Sequence, residues 1–145
     1  MSYSRRDLNL LLPALLAAAD GKAQTPAAQT PALPSKTFRF EDLPVRGNGP
    51  RTRAVLDGKT HKGFAVEMHE TELAPGQAPH AAHHHEHVEM MLVREGTMEV
   101  MISGKTSQVG PGGLAYVASN EEHGWRNVGT TTAHYFVIAL GQEKS

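Results

Sequence analysis

The chain has 145 residues, 39% of them hydrophobic and 20% charged, which is room for one globular domain with an adequate core. A formal net charge of −1 gives no electrostatic reason to bind nucleic acid or an anionic membrane. Cysteine is absent, so disulfides and thiolate metal sites are excluded.

At the N-terminus, Ser4-Arg5-Arg6-Asp7-Leu8 precedes an apolar run from Leu10 to Ala19, interrupted only by Pro13. A charged start, a short apolar core and small residues at Ala17 and Ala19 predict a secretory signal over residues 1–19, too short to span a bilayer comfortably. The paired arginines, with Leu8 two places after Arg6, resemble a twin-arginine export signal. The expectation is export to the periplasm in the folded state. A metal would then be chosen inside the cell, where geometry and availability rather than affinity decide. Residues 20–36 are rich in Ala, Pro, Gln and Thr without a hydrophobic period, and predict a flexible linker.

From residue 37 to 141 the pattern is that of short strands. Residues 37–40 (Thr-Phe-Arg-Phe) predict a first strand, ended by Pro44 and Gly47-Asn48-Gly49-Pro50. Residues 51–57 predict a second, turning at Asp57-Gly58, a hairpin signal. Residues 63–73 follow, with Phe64, Val66 and Met68 alternating against Ala65, Glu67 and His69. After Pro75-Gly76, strands are predicted over residues 88–94, 97–103, 106–109, 114–117, 123–128 and 134–140, and residues 142–145 form a tail. Strands punctuated by Gly and Pro, with no helical period, argue for an all-β sandwich or barrel in a single domain.

Five of the nine histidines lie between His80 and His87, four of them in the run His83-His84-His85-Glu86-His87-Val88-Glu89. In an extended strand His83 and His85 share a face and His84 points away. A tight turn after His85 lets Glu89 return beside the two imidazoles, and His123 is the best candidate for a fourth ligand from elsewhere. Neutral imidazoles with a carboxylate suit a divalent transition metal.

Gly76, His83-x-His85, Glu89 and Gly96 resemble the first motif of the cupin superfamily, and Gly112, Ala118-Ser119-Asn120, His123 and Asn127 resemble its second. There are departures: the first spacer is one residue longer than the family pattern, Ala118 replaces a proline, and Asn120 replaces a glycine. Asn tolerates a left-handed backbone best among the non-glycine residues, so that turn can survive. The resemblance implies a single-domain jelly-roll (double-stranded β-helix) barrel with His83, His85, Glu89 and His123 on one divalent metal in its wider mouth, Mn, Fe or Ni ahead of Zn or Cu. It also implies a homodimer, for which the edge around Phe38-Arg39-Phe40 is the expected pairing strand.

Three imidazoles and a carboxylate leave open positions on the metal, as catalysis requires. The expected function is therefore a metal-dependent enzyme acting on a small organic molecule, an oxygenase first. The alternatives are an isomerase or lyase using the metal as Lewis acid, or a non-catalytic cupin that binds metal or a small ligand. No catalytic residue is assigned; Glu72 and His87 are possible general bases, although His87 reads as a solvated turn residue. His80 reads as a loop histidine, and His69 and His134 as packed, hydrogen-bonded ones. Asn127 orders a strand end. Tyr116, Trp125 and Tyr135 read as core aromatics, with Trp125 on the parity of His123, and the methionines, Met90, Met91, Met98 and Met101 among them, as core filler.

The export reading has a direct test. Changing Arg5→Lys together with Arg6→Lys keeps the charge but removes the guanidinium pair. The doubly substituted protein should accumulate inside the cell with its signal uncut, as cell fractionation and the mass of the purified chain would show.

Overall fold

The computed structural model describes residues 31–142; the expected export signal and most of the linker lie outside them. Two antiparallel sheets face one another. The larger has six strands in the order β1-β2-β3-β9-β4-β7, and the smaller has three, β6-β5-β8. The strands are β1 (Val45–Arg46), β2 (Arg51–Lys59), β3 (Phe64–Leu73), β4 (Val88–Glu95), β5 (Met98–Ile102), β6 (Lys105–Val109), β7 (Leu114–Val117), β8 (His123–Asn127) and β9 (Ala133–Gln142). This is the all-β jelly-roll sandwich that the resemblance implies. Sequential strands are scattered between the sheets, so the chain crosses the core repeatedly and brings β4 and β8 together from distant stretches.

Alternation decides which residues fill the space between the sheets. Leu73, Met91, Val93, Met98, Val100, Ala115, Val117, Trp125, Ala133, Tyr135 and Val137 form one buried cluster. Met91 and Met98 are thus core methionines, whereas Met90 and Met101 have the opposite parity and are half-buried. Tyr116 is corrected in the same way. With Ala115 and Val117 turned inward, Tyr116 and Leu114 face outward and are 55% and 54% exposed.

Two expectations near the N-terminus fail for identifiable reasons. Residues 37–39 form no strand, and Phe40–Asp42 make a 3-10 turn. The Phe40 ring lies 4.6 Å from the Arg53 guanidinium and 4.4 Å from that of Arg94, cation–π contacts that hold the segment against the sheet without a ladder. The expected dimer-pairing strand is therefore missing there; the edge of the sheet is the two-residue β1. Asp57-Gly58 is likewise no turn. Both residues lie inside β2, with Gly58 opposite Val66. The chain reverses later, at residues 60–63, where the Gly63 amide donates to the Thr60 carbonyl at 2.9 Å. Gly58 serves a close approach instead: a Cβ there would stand 2.7 Å from Leu33 Cδ2. Leu33 lies against the strand and donates its amide to the Lys59 carbonyl at 2.8 Å.

Asn127 fastens the strand ends as expected. It is fully buried, donates from Nδ2 to the Leu73 and Thr131 carbonyls at 2.8 Å each, and accepts the Gly129 amide at 2.9 Å. Asn120 takes φ 63°, the left-handed turn expected of it, and its amide donates to the His85 carbonyl at 2.8 Å. The second motif is thereby tied to the first at one of the histidines expected to bind metal.

Tyr135 sits deep in the core beside Trp125, with ring centroids 6.2 Å apart in a T-shaped pair. Burial pushes its phenol from 10.0 up to about 12, while polar contacts with Trp125 and Thr71 pull the other way; the Trp125 indole nevertheless completes no hydrogen bond of acceptable geometry. Below pH 10 the phenol is neutral in folded and unfolded chains alike. As the pH rises towards about 12, the unfolded chain alone loses the proton, and stability should fall by about 3 kcal/mol. Denaturant melts at about pH 9 and about pH 12 should show that loss in the native protein and a smaller one in Tyr135→Phe.

Candidate metal centre in the barrel mouth

The first-motif histidines arrive on a segment that is barely a strand. His83 makes one isolated bridge to His123, with amide–carbonyl distances of 3.0 and 2.8 Å in the two directions. Further back, Gln77 accepts the Asn127 amide at 2.9 Å. Residues 78–82 thus bulge against residues 124–126, a local excess in which the longer first spacer is taken up. Between this bulge and the outer face of the small sheet lies a groove of about 380 Å³, lined by Ala78, His80, Glu99, Met101 and Arg126 among others. His80 is exposed there, its ring 4.4 Å from that of His83.

His83 and His85 are half-buried while His84 and Glu86 are exposed, so the expected alternation holds. Ligand-capable atoms of His83, His85, Glu89 and His123 all lie within 4.8 Å of one another. These are the four residues expected from the sequence, and the fold brings all of them together.

The protons can be placed. His85 Nδ1 donates to the His87 carbonyl at 2.9 Å, and His123 Nδ1 donates to the Glu121 carbonyl at 2.9 Å. A carbonyl only accepts, so each neutral ring carries its proton on Nδ1 and presents an Nε2 lone pair. Those lone pairs meet one carboxylate oxygen: Glu89 Oε2 is 2.5 Å from His85 Nε2 and 3.3 Å from His123 Nε2. His123 Nε2 and His83 Nδ1 are buried without a hydrogen-bond partner. Acceptors do not converge in this way unless a cation, proton or metal, lies among them. Burial first, then the neighbouring His80, His123 and His85, push the His83 imidazole below its ordinary value, which favours the neutral form that ligates. The donor set therefore fits a divalent transition metal.

His87 differs from expectation. Its ring stacks on His85, centroids 3.6 Å apart and planes 10° from parallel, and it is half-buried. Burial first, then His85, hold its imidazole below the ordinary value. Gly141 makes the room, since a Cβ there would lie 2.6 Å from the His87 Cβ. The pairing of the His87 segment with a glycine on the last strand has no local sequence signal. Glu72 also leaves the list of bases. It lies on the face opposite the core residues Thr71 and Leu73, paired with Arg53 and with Arg51 at 3.1 Å. Burial raises its carboxyl, but Arg53 outweighs this and holds it below its ordinary value.

Glu70, Glu72 and His134 form a second convergence. There Glu70, fully buried, meets Arg53 at 3.0 Å and His134 at 2.9 Å. Two guanidiniums already answer two carboxylates, so this is an ion-pair network on the outer face of the sheet, and His134 is the hydrogen-bonded histidine expected.

His69 is hydrogen-bonded as expected, but its partner Glu67 and the row the two share with β9 and β4 have no sequence signal. Strand pairing sets Glu67, Ala139 and Glu89 in one row across β3, β9 and β4, and His69, Val137 and Met91 in the next. His69 Nδ1 lies 2.9 and 3.1 Å from the two Glu67 carboxylate oxygens. The face of β3 that carries them is the face that buries Thr71 and Leu73 further along.

Residues 69–139 match the family model for the Cupin domain. The match takes in just under half of the chain, and the jelly-roll fold agrees with it. Over 74 residues the chain is 35% identical to the L-ectoine synthase of Bordetella parapertussis; the match takes in 50% of this chain and 54% of that protein, so the chain spans about half the length of the curated relatives it matches. Among solved structures, an RmlC-like cupin from Shewanella frigidimarina superposes with a TM-score of 0.61 at 19% identity, covering 80% of this chain and 96% of that one. A protein from Thermus thermophilus superposes with a TM-score of 0.62 at 21% identity, covering 75% and 100%. At these identities the likeness concerns the fold.

Two pairs of variants test the centre. His85→Ala should abolish tight metal binding, whereas His84→Ala should leave it nearly intact. A metal that bridges β4 to β8 should raise native stability by about 2.7 kcal/mol at a hundredfold excess over its dissociation constant. Melting curves with and without Mn, Fe or Ni should show this gain reduced in His123→Ala and retained in His134→Ala.

Proposed function

We propose that this cupin is an enzyme that holds one divalent transition metal on His83, His85, Glu89 and His123 and acts on a small organic molecule in the barrel mouth. One observation carries the reading: two imidazole lone pairs and a carboxylate oxygen meet within 3.3 Å, with their protons already committed to backbone carbonyls. A bound metal would polarise a carbonyl or carboxylate oxygen of the substrate. Ala139 lies beside Glu89 and Gly141 beside His87, so small residues floor the space next to the centre. The reaction class favoured is isomerisation, elimination or ring closure. The partial likeness to L-ectoine synthase, a synthase by name, supports this class. Oxygenase chemistry is the second reading, favoured by the imidazole-rich set of four donors.

Protein loaded with Mn, Fe or Ni, and checked by elemental analysis, should be incubated with small oxo acids, hydroxy acids, diketones and phenols. Under anaerobic conditions the expected product differs from its substrate only by rearrangement or by water, as mass spectrometry reads directly. Turnover that stops without oxygen, with oxygen uptake when air is admitted, would decide for the oxygenase. Intact metal with no turnover in either atmosphere would leave a binding module and overturn the enzyme.

A further inference from the structure

The proposed reaction needs a group that moves a proton, and the metal-binding residues cannot supply it while their lone pairs are engaged. We propose that His69, oriented by Glu67, is that group, serving a small molecule whose oxygen sits at the metal and whose acidic C–H lies beside it, a short 2-oxo acid or similar carbonyl compound. This rests on the reading of the metal centre given above.

Glu67 and His69 are two apart on β3 and so share a face, and the pairing of β3 with β9 and of β9 with β4 makes it the face that carries Glu89. One strand, β9, separates them from β4, so the two backbones stand roughly 10 Å apart. Across that gap β9 presents Ala139, with Gly141 two residues further along, so no bulky side chain of β9 fills the row between Glu67 and Glu89. The dyad is open to solvent, with His69 30% and Glu67 38% exposed, as a group at a barrel mouth must be to return its proton. The Glu67 charge is also felt at His87, on the metal side of the gap.

The tautomer follows from the partner. A carboxylate only accepts, so His69 Nδ1 carries the proton donated to Glu67, and the Nε2 lone pair is not committed by that bond. In the step, the substrate C–H breaks and Nε2–H forms. The bonding pair stays on the substrate as an enolate, and the imidazolium charge is offset by Glu67. Returning the proton to another carbon isomerises the substrate, and loss of a leaving group from the neighbouring carbon completes an elimination. No oxidant or reductant is consumed. His69 is then the catalytic residue and Glu67 a positioning residue.

The test uses metal-loaded protein in heavy water with pyruvate and 2-oxobutyrate as probes. Wild-type protein should place deuterium on the carbon next to the carbonyl, read by mass spectrometry against protein without metal. His69→Gln should lower that exchange at least about a hundredfold with metal content unchanged. Glu67→Gln should lower the rate about tenfold while the half-saturating probe concentration stays the same, and Glu67→Asp should recover part of the loss; a purely structural role would not give this split. Independently of turnover, malonate added to zinc-loaded protein should saturably shift the His69 Cε1 proton resonance. Wild-type exchange rates in His69→Gln with metal bound would overturn the proposal while leaving the metal centre standing. So would metal-loaded wild-type protein that shows neither exchange nor the resonance shift. Failure of the wild-type protein to bind metal would remove the underlying reading itself. Should His69→Gln fail to fold, the rate-against-saturation split in Glu67→Gln decides alone.

Discussion

The rest of this structure depends on a shared carboxylate oxygen. Glu89 Oε2 lies against the Nε2 atoms of both His85 and His123, and backbone carbonyls hold the protons of both rings on the far side. Left to themselves, acceptors at such distances repel, and the barrel must hold them against that repulsion until a cation satisfies them. This cost is local, and its consequence is global: whatever cation binds links β4, β8 and the segment before β4, which the chain visits far apart in sequence.

The scaffold around the centre is arranged to carry that load. The His83–His123 bridge joins the two motifs by main chain as well as by side chain, and the Asn120 amide reaches the His85 carbonyl. Asn127 closes the other end of β8 onto β3 and the following loop. The longer first spacer is absorbed by residues 78–82, which bow outward between fixed contacts at Gln77 and His83, so the extra length creates a groove without displacing any of the four clustered residues. Stacking of His87 on His85 restricts the ring that comes closest to Glu89. On the inner face of β3, Glu67 and His69 form a second polar pair, in the same sheet as Glu89 and separated from it by β9. Between the two pairs β9 carries the small residues Ala139 and Gly141.

The outer face of the large sheet follows a different rule. There, charge is neutralised within the protein: Arg53 serves Glu70 and Glu72, Arg51 serves Glu72, and His134 serves Glu70. The hydrogen bond that Arg53 donates to Glu72, opposed by burial, keeps the guanidinium above its ordinary value, and its face also receives Phe40. Two clusters of carboxylate and histidine thus sit on opposite faces of one sheet with opposite characters. Arginine supplies the cations in one, and in the other no side chain among the described residues does.

What the sequence determined by itself was what depends on short-range periodicity and spacing. Strand alternation placed His83 and His85 on one side and His84 on the other, and the spacings of Gly76, Glu89, His123 and Asn127 carried the likeness to cupins and all four residues of the centre. The left-handed turn at Asn120 was legible for the same reason, because a backbone conformation is a property of a residue and its neighbours. Which face of a strand is inward, and what lies across a sheet, is a non-local property, and only the tertiary structure decided it. Tyr116 reads like Tyr135 until β7 is paired and turned. Gly58 reads as a hairpin until Leu33 is seen to occupy its missing side chain. Residues 37–40 read as a strand until Phe40 finds two arginines from β2 and β4. Above all, Glu67 and His69 are an unremarked pair two residues apart until β9 sets them opposite Glu89. Pairing across three strands has no periodic trace in any one of them, so this second polar pair could be seen only in the folded chain.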